Sequence, residues 1–431
     1  MIDFWIALPL ALQLTLLGVL GLGLGAFANH VIYTLCWDRR PISPWVKPHK
    51  DAPPRVRTDL IPICGWWGLR REAKIHGDRF WVRPILIEIG MMIAVPALFY
   101  FETHSGWLLP AALRTQANLD RFEPWATHLF VPHVILFSLM VASTFIDFDE
   151  RTIPDELTLP GTVFALMASC FSLKACLPAG IGGGLYPTTF ELPSVWGPPW
   201  VGRTGFWTGL AIWSGWCFAI ADRHWVTRFG FERAIAYFLH GITRRRGPVL
   251  IAGWFVGCVA IRIVFGIGGD AWHGLLSSLV GLGVGGGVVW AIRIVASGAM
   301  NTEAMGFGDV TLMAMIGAFL GWQVSVLGFF LAPMTAIVIV VIYWMVTGDN
   351  QVPFGPYLCC GTAVTVIFWD RLFNGWFLQN LAILGNFMLW LFIAMTGMMG
   401  VMLYVYRIVR DRFFFSEDEE YEEDENELED S

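Results

Sequence analysis

Two aspartate-bearing motifs, far apart in the chain, hold the side chains best able to do chemistry. They are Phe145-Ile146-Asp147-Phe148-Asp149-Glu150-Arg151-Thr152-Ile153-Pro154-Asp155 and Met305-Gly306-Phe307-Gly308-Asp309. Each sets a carboxylate at the edge of a long apolar segment, where an ionisable group is costly unless paired or solvated and therefore marks a functional site. Two aspartates held close together cannot both ionise cheaply, so one keeps a proton while the other is charged. The charged one can take a proton from water while the neutral one polarises a peptide carbonyl, which is acid–base hydrolysis without a metal or a covalent intermediate. The glycines Gly306 and Gly308 permit close backbone approach and φ values denied to other residues, so a substrate strand could lie against them. Asp309 opens the helix that begins Val310-Thr311-Leu312, where the helix dipole favours an anion. Taken singly, each motif also has an ordinary reading: a helix capped by Asp309, or a solvated turn in which Pro154 and Asp155 open the next helix. Their joint position at helix ends favours the pair, Asp147 and Asp309, with Asp149 and Asp155 as second choices that support the loop or cap a helix.

The elements that must position these residues are membrane helices. Hydrophobic residues make up 56% of the 431 and charged residues only 15%, far below the roughly 25% of soluble domains. Apolar runs of about 20 residues, enough to span a bilayer, fall at 5–34, 84–101, 127–146, 157–177, 205–221, 248–268, 273–297, 309–322, 324–347, 354–371 and 378–406. The expected fold is all-α, a polytopic membrane protein with about eleven helices. The first run lacks a basic leader and exceeds a signal-peptide core, so it reads as a retained helix. Lys and Arg concentrate in 38–83 and at Arg244-Arg245-Arg246, which the positive-inside rule makes cytoplasmic. Alternation from an outside N-terminus then puts Asp147, Asp309 and the C-terminal tail on the cytoplasmic side.

Between the helices, 178–204 is rich in Gly and Pro and reads as an external loop. The segment 223–246 mixes aromatic and basic residues, and reads either as an amphipathic interfacial helix or as an ordinary basic connector. Of the 35 acidic residues, 11 lie in the run Glu417–Asp430. That tail cannot bury apolar surface and is expected to be disordered, and without it the chain is net basic. Eight cysteines (36, 64, 170, 176, 217, 258, 359 and 360) form no CxxC pair. Neither a disulfide framework nor a zinc site is expected, and no cofactor or nucleic-acid partner is implied.

Thr144-Phe145-Ile146-Asp147-Phe148-Asp149, followed by Ile153-Pro154-Asp155-Glu156-Leu157-Thr158-Leu159-Pro160-Gly161, resembles the first aspartate motif of the type IV prepilin peptidases, bacterial inner-membrane GxGD aspartyl proteases. Glu303-Ala304-Met305-Gly306-Phe307-Gly308-Asp309-Val310 resembles the second, and Pro353-Phe354-Gly355-Pro356-Tyr357-Leu358 a later FGP segment. Gly25 to Tyr33 and Ile61 to Trp66 resemble further stretches. The resemblance implies catalysis by Asp147 and Asp309, supported by Gly306 and Gly308. The substrates would be prepilin or pseudopilin precursors of type IV pilus or type II secretion systems, cut behind short basic leaders at the cytoplasmic face of an inner membrane. The chain then divides into a first transmembrane helix (1–35), a basic loop resembling a reduced N-terminal domain (36–83), a peptidase core (84–371) with an insertion at 178–247, an additional helix (372–415) and the acidic tail (416–431). Competing classes are an ion- or proton-coupled transporter and a catalytically silent relative that binds pilin helices.

The chain departs from the pattern in three ways. Bifunctional relatives carry two CxxC pairs in the first cytoplasmic loop, binding zinc and supporting N-methylation, whereas here that loop has only Cys64, with Cys36 just before it. Methyl transfer is therefore not expected. Glu88 matches an acidic position of that region, or is a paired or snorkelling helix-end carboxylate. Thr311 stands where many members have Lys.

Overall fold

In a bilayer every backbone N–H and C=O must be satisfied within the chain, so apolar runs resolve into helices. The computed structural model describes residues 2–36, 41–191, 202–221, 247–301, 305–347, 353–384 and 387–413. The segment 223–246 and the tail 416–431 lie outside them. Besides the short helices Ile2–Ile6, Cys64–Leu69 and Ala73–His76, the described residues form α1 (Leu10–Leu35), α2 (Val82–Thr103), α3 (Gln116–Glu150), α4 (Asp155–Phe171), α5 (Arg203–Ile220), α6 (Gly247–Ile267), α7 (Gly269–Met300), α8 (Phe307–Thr347), α9 (Gly355–Ile367), α10 (Leu378–Leu384) and α11 (Phe387–Phe413). Among the described residues, α1, α2, α3, α6, α7, α8 and α11 are long and apolar enough to cross a membrane, and α9 is a shorter apolar helix. The chain is an all-α polytopic membrane protein. The expected runs 309–322 and 324–347 are the two arms of α8, which bends at Gly321 (φ 84°).

Helix α3 is the wall between two hydrophobic cores. On one side Phe130, Val134, Ala142 and Ile146 join Leu17 and Ile32 of α1 and Met91 and Val95 of α2. On the other, Leu129, Leu136 and Met140 join Leu276 and Leu279 of α7, Met313 and Ile316 of α8 and Leu358 of α9. Lipid tails are as apolar as leucine, so such helices associate by close packing of small residues. The α7–α8 contact shows this at its tightest: a Cβ on Gly281 would overlap the carbonyl oxygen of Gly317, and a Cβ on Gly317 that of Gly281. Beside that crossing the Ser278 hydroxyl donates to the Ala318 carbonyl at 2.6 Å.

Two connections carry structure of their own. The expected loop 178–204 opens with a β-hairpin, β1 (Pro178–Ile181) antiparallel to β2 (Gly184–Pro187). Gly182 and Gly183 both have positive φ (58° and 82°), which a tight two-residue hairpin turn demands. Loop composition hid this glycine pair's meaning. The hairpin docks at the end of the bundle remote from Asp155 and Gly355: Trp369 Nε1 donates to the Pro178 carbonyl at 2.7 Å and the Gly180 N–H to Asn374 Oδ1 at 3.1 Å.

The second connection, 41–81, is folded around Arg55. Its guanidinium meets both oxygens of buried Glu72 (2.9 and 3.0 Å) and the carbonyls of Ser43 (2.7 Å), Val46 (2.8 Å) and Pro41 (3.0 Å). Outside the membrane helices, Arg71 pairs with buried Asp59, which also accepts the Val56 N–H at 2.8 Å. Burial works to raise the Asp59 pKa, but the Arg71 guanidinium and the Val56 N–H outweigh it and hold the carboxyl below its usual range.

The α7–α8 crossing generates a test. Backbone cannot move aside as a side-chain tip can, so Gly281→Leu should cost at least about 3 kcal/mol, the upper end for overpacking. Denaturation in detergent micelles should show a large loss of the unfolding midpoint, whereas Gly253→Leu, where nothing lies within 4 Å of a Cβ, should change it little.

Candidate active site

Asp147 sits in the last turn of α3, only 4% exposed. The helix ends in a left-handed residue, Arg151 (φ 54°), whose N–H returns to the Asp147 carbonyl at 2.8 Å. Such a C-terminal turn usually takes glycine. Here it reverses the chain through Thr152 and buries Ile153 before Pro154 opens α4. The Asp147 side chain points at the start of α9, where Oδ2 accepts the Gly355 N–H at 2.9 Å. That N–H is one of the donors a helix start leaves without an intrahelical partner. Pro356 follows it at the start of the helix, a position that suits proline.

Asp309 lies in the first turn of α8, 7% exposed and within electrostatic reach of Asp147. Ile153 is the wedge that brings the pieces together. A Cβ on Gly308 would stand 2.9 Å from Ile153 Cβ and 3.0 Å from its backbone nitrogen, while a Cβ on Gly355 would stand 2.9 Å from Ile153 Cδ1 and 2.5 Å from Asp147 Oδ2. The two starts α8 and α9 therefore approach the α3–α4 turn as closely as backbone allows. The entry to α8 is held from α7, where Arg293 Nε donates to the Met305 carbonyl at 2.8 Å and the guanidinium lies 5.7 Å from the Phe307 ring centre.

The other candidates take different places. Gly308 serves helix packing, and neither it nor Gly306 has left-handed backbone; this corrects the expectation that both supply unusual φ values. Only Gly306 keeps open space, its nearest neighbour being Asp309 Oδ2 at 3.9 Å from a Cβ. Asp149 points away from Asp147 and is gripped by Arg83 at 2.6 and 2.8 Å. Asp155 is the first residue of α4 and not its cap, a position held by Pro154 with no side-chain capping bond. It adds negative charge at the positive end of the helix dipole. Thr311 is fully buried, its hydroxyl donating to the Gly308 carbonyl at 3.0 Å. Sequence reasoning named Phe354-Gly355-Pro356 without a role. Its signal was glycine directly before proline at a helix start, which leaves one amide free to aim at an anion.

Glu88 of α2 is 1% exposed and accepts three donors: Ile63 N–H (2.5 Å), Trp66 Nε1 (2.7 Å) and Asn29 Nδ2 (3.2 Å). Ile63 is at the centre of a γ-turn with φ 62°, closed by Cys64 N–H to the Pro62 carbonyl at 2.7 Å. Such turns are strained, and the carboxylate bond holds this one in place. Glu88 is thus neither snorkelling nor at a helix end. Among the described residues, no group of three or more His, Cys, Asp or Glu is placed to hold a metal ion.

Comparison with known proteins bears on this arrangement. Residues 248–342 match the model of the type IV leader peptidase family. A protein of Pseudomonas putida named prepilin leader peptidase/N-methyltransferase is 28% identical over 409 residues, which cover 88% of this chain and 98% of that protein. Proteins of the same name from Legionella pneumophila (34% over 77 residues, 17% of this chain and 26% of that one) and Myxococcus xanthus (31% over 155 residues, 36% and 39%) match shorter stretches. No solved structure matches.

The close approach of α9 can be tested without reference to activity. Gly355→Ala should lower unfolding stability by about 1–3 kcal/mol, because its methyl must displace either the carboxylate or Ile153. Gly306→Ala, in open space, should stay within about 0.5 kcal/mol. Thermal unfolding of the two variants in one detergent makes the comparison.

Proposed function

Since the chain belongs to the type IV leader peptidase family, we propose that it is a membrane aspartyl endopeptidase removing short basic leaders from prepilin or pseudopilin precursors. Asp147 and Asp309 are its catalytic pair, and the site faces the cytoplasm from a bacterial inner membrane. One observation carries this reading: the two aspartates come from separate motifs and share one buried corner, wedged by Ile153 and supplied with the Gly355 N–H.

The geometry suits hydrolysis by a shared proton. The ionised carboxylate takes a proton from the attacking water while the protonated one donates its proton to the scissile carbonyl; as the C–N bond breaks, the proton taken from water passes to the leaving amine and the carbonyl oxygen returns its own. The Gly355 N–H holds Asp147 in a single orientation, a cost met in folding rather than at the moment of reaction. Open backbone at Gly306, beside Asp309, leaves room for an extended substrate segment. The basic connection 41–81 reads as cytoplasmic by the positive-inside rule and lies at the aspartate end of the bundle, since Arg83, just beyond it, reaches Asp149.

We further propose that the chain acts as a peptidase alone, whereas its relatives are named for two activities. The loop carries only Cys64, and its compaction rests on Arg55, Glu72, Asp59 and Glu88.

Two assays on purified protein check these statements. With a pilin-like precursor bearing a basic leader, Asp147→Asn and Asp309→Asn should each lose cleavage by several orders of magnitude, since groups that act as a unit fail together. Insertion and folding should persist, and retained cleavage in either variant would remove that aspartate from the pair. When S-adenosylmethionine is added to the cleaved precursor, no methyl group should appear on the new N-terminus; transfer at a rate comparable to cleavage would contradict the single-activity reading.

A further inference from the structure

The Asp147 side chain has a defined direction, and the structure shows what fixes it. Successive residues of an α-helix are turned by about 100°, so positions two apart point to nearly opposite sides. Asp147, together with Met140 and Thr144, looks toward α9: Gly355 N–H meets Asp147, Cys359 Sγ lies 3.8 Å from the Met140 carbonyl, and the Thr144 side chain lies beside Cys359. Phe145 and Asp149 occupy the other side of α3. There the Arg83 guanidinium meets both oxygens of Asp149, at 2.6 and 2.8 Å, lies 5.8 Å from the Phe145 ring centre, and reaches the Tyr33 hydroxyl of α1 at 3.3 Å. A two-pronged arginine–carboxylate pair fixes orientation as well as distance. Asp149 is 16% exposed and Arg83 34%, so water only partly loosens the grip.

We propose that Arg83 is a positioning residue of the aspartate site: by gripping Asp149 it sets the rotation of α3 about its own axis and so aims Asp147 at Gly355 and Asp309. The proposal rests on the leader-peptidase reading only for its kinetic consequence. The grip acts on the last turn of α3, two residues before the left-handed ending at Arg151. Across the wall formed by α3, the N-terminal helices thereby control a reaction carried out on the other side.

The experiment has two arms on the full-length protein in detergent. In the first, leader cleavage is followed for the parent, Arg83→Gln, Arg83→Lys and the reversed pair Arg83→Glu with Asp149→Arg. A rotation of the carboxylate by a fraction of an ångström to one ångström should lower kcat by about a hundredfold in Arg83→Gln and leave KM within about twofold. Lysine keeps the charge but loses the fork, so Arg83→Lys should fall between. The reversed pair should recover at least about tenfold over Arg83→Gln, which a merely lost surface contact would not do. In the second arm, Thr144→Cys is placed in a background retaining Cys359 with the other cysteines changed to Ser, and disulfide formation under mild oxidant is timed. It should be fast with Arg83 and at least about tenfold slower with Gln, as the altered rotation separates the two sulfurs.

Parent-like kcat in Arg83→Gln, or unchanged crosslinking, overturns the proposal. A parent that fails to cleave any pilin-like precursor instead overturns the leader-peptidase reading, and the crosslinking arm still decides the role of Arg83. If Arg83→Gln does not run as a folded species on size exclusion, Arg83→Lys is read by the same two measurements.

Discussion

The structure depends on keeping two carboxylates, Asp147 and Asp309, close together inside a bundle whose surroundings offer little to solvate them. A buried charge without partners costs far more than any single packing contact returns. The protein meets this with backbone rather than with extra side chains. Gly355 lends an amide, Gly308 lets α8 settle on Ile153, and the reversal at Arg151 puts Ile153 between them. Each of these pieces needs the others: Ile153 is buried because both helix starts lean on it, and both starts lean in because they carry no Cβ at the contact.

The same economy extends through the membrane body. Gly281 and Gly317 set α7 and α8 at backbone contact, and the bend at Gly321 lets one long helix serve two directions. Polar groups in the outlying parts are likewise spent on shape. Glu88 stabilises a strained turn at Ile63, Arg55 gathers both Glu72 oxygens and several carbonyls of the 41–81 connection, and Arg83 ties α2 to the turn that bears Asp147. Where these groups are buried the bonds are worth keeping, because a donor or acceptor released there finds no substitute.

Much of this was readable in the chain. Long apolar runs announce helices with little ambiguity, and the interruption near Gly321 was visible as two adjoining runs. The two aspartate motifs were legible because carboxylates at the ends of such runs are rare. What escaped was whatever depends on contact between distant segments. Nothing in the local sequence says that Gly308 packs on Ile153 instead of leaving room for a ligand, that Asp149 faces Arg83, or that Gly355 donates to Asp147. The hairpin at Pro178–Pro187 was missed for a different reason: its short strands were hidden within loop-like composition, although the adjoining glycines Gly182 and Gly183 are the local sign of a tight turn.

The spacing of the Arg55 contacts has a consequence for how the molecule is made. All of its partners lie within 17 residues along the chain, whereas Arg83 and Asp149 are separated by 66 positions and Gly355 and Asp147 by 208. Contacts close in sequence form early, and distant ones must wait for loop closure. A chain emerging from the ribosome can therefore complete the 41–81 connection while the first helices are being inserted, long before the last part of the aspartate corner exists. Until Gly355 has been synthesised and α9 placed against α3, Asp147 has no amide to meet. The growing chain thus passes most of its synthesis in the membrane without an assembled pair, and acquires one only when nearly complete.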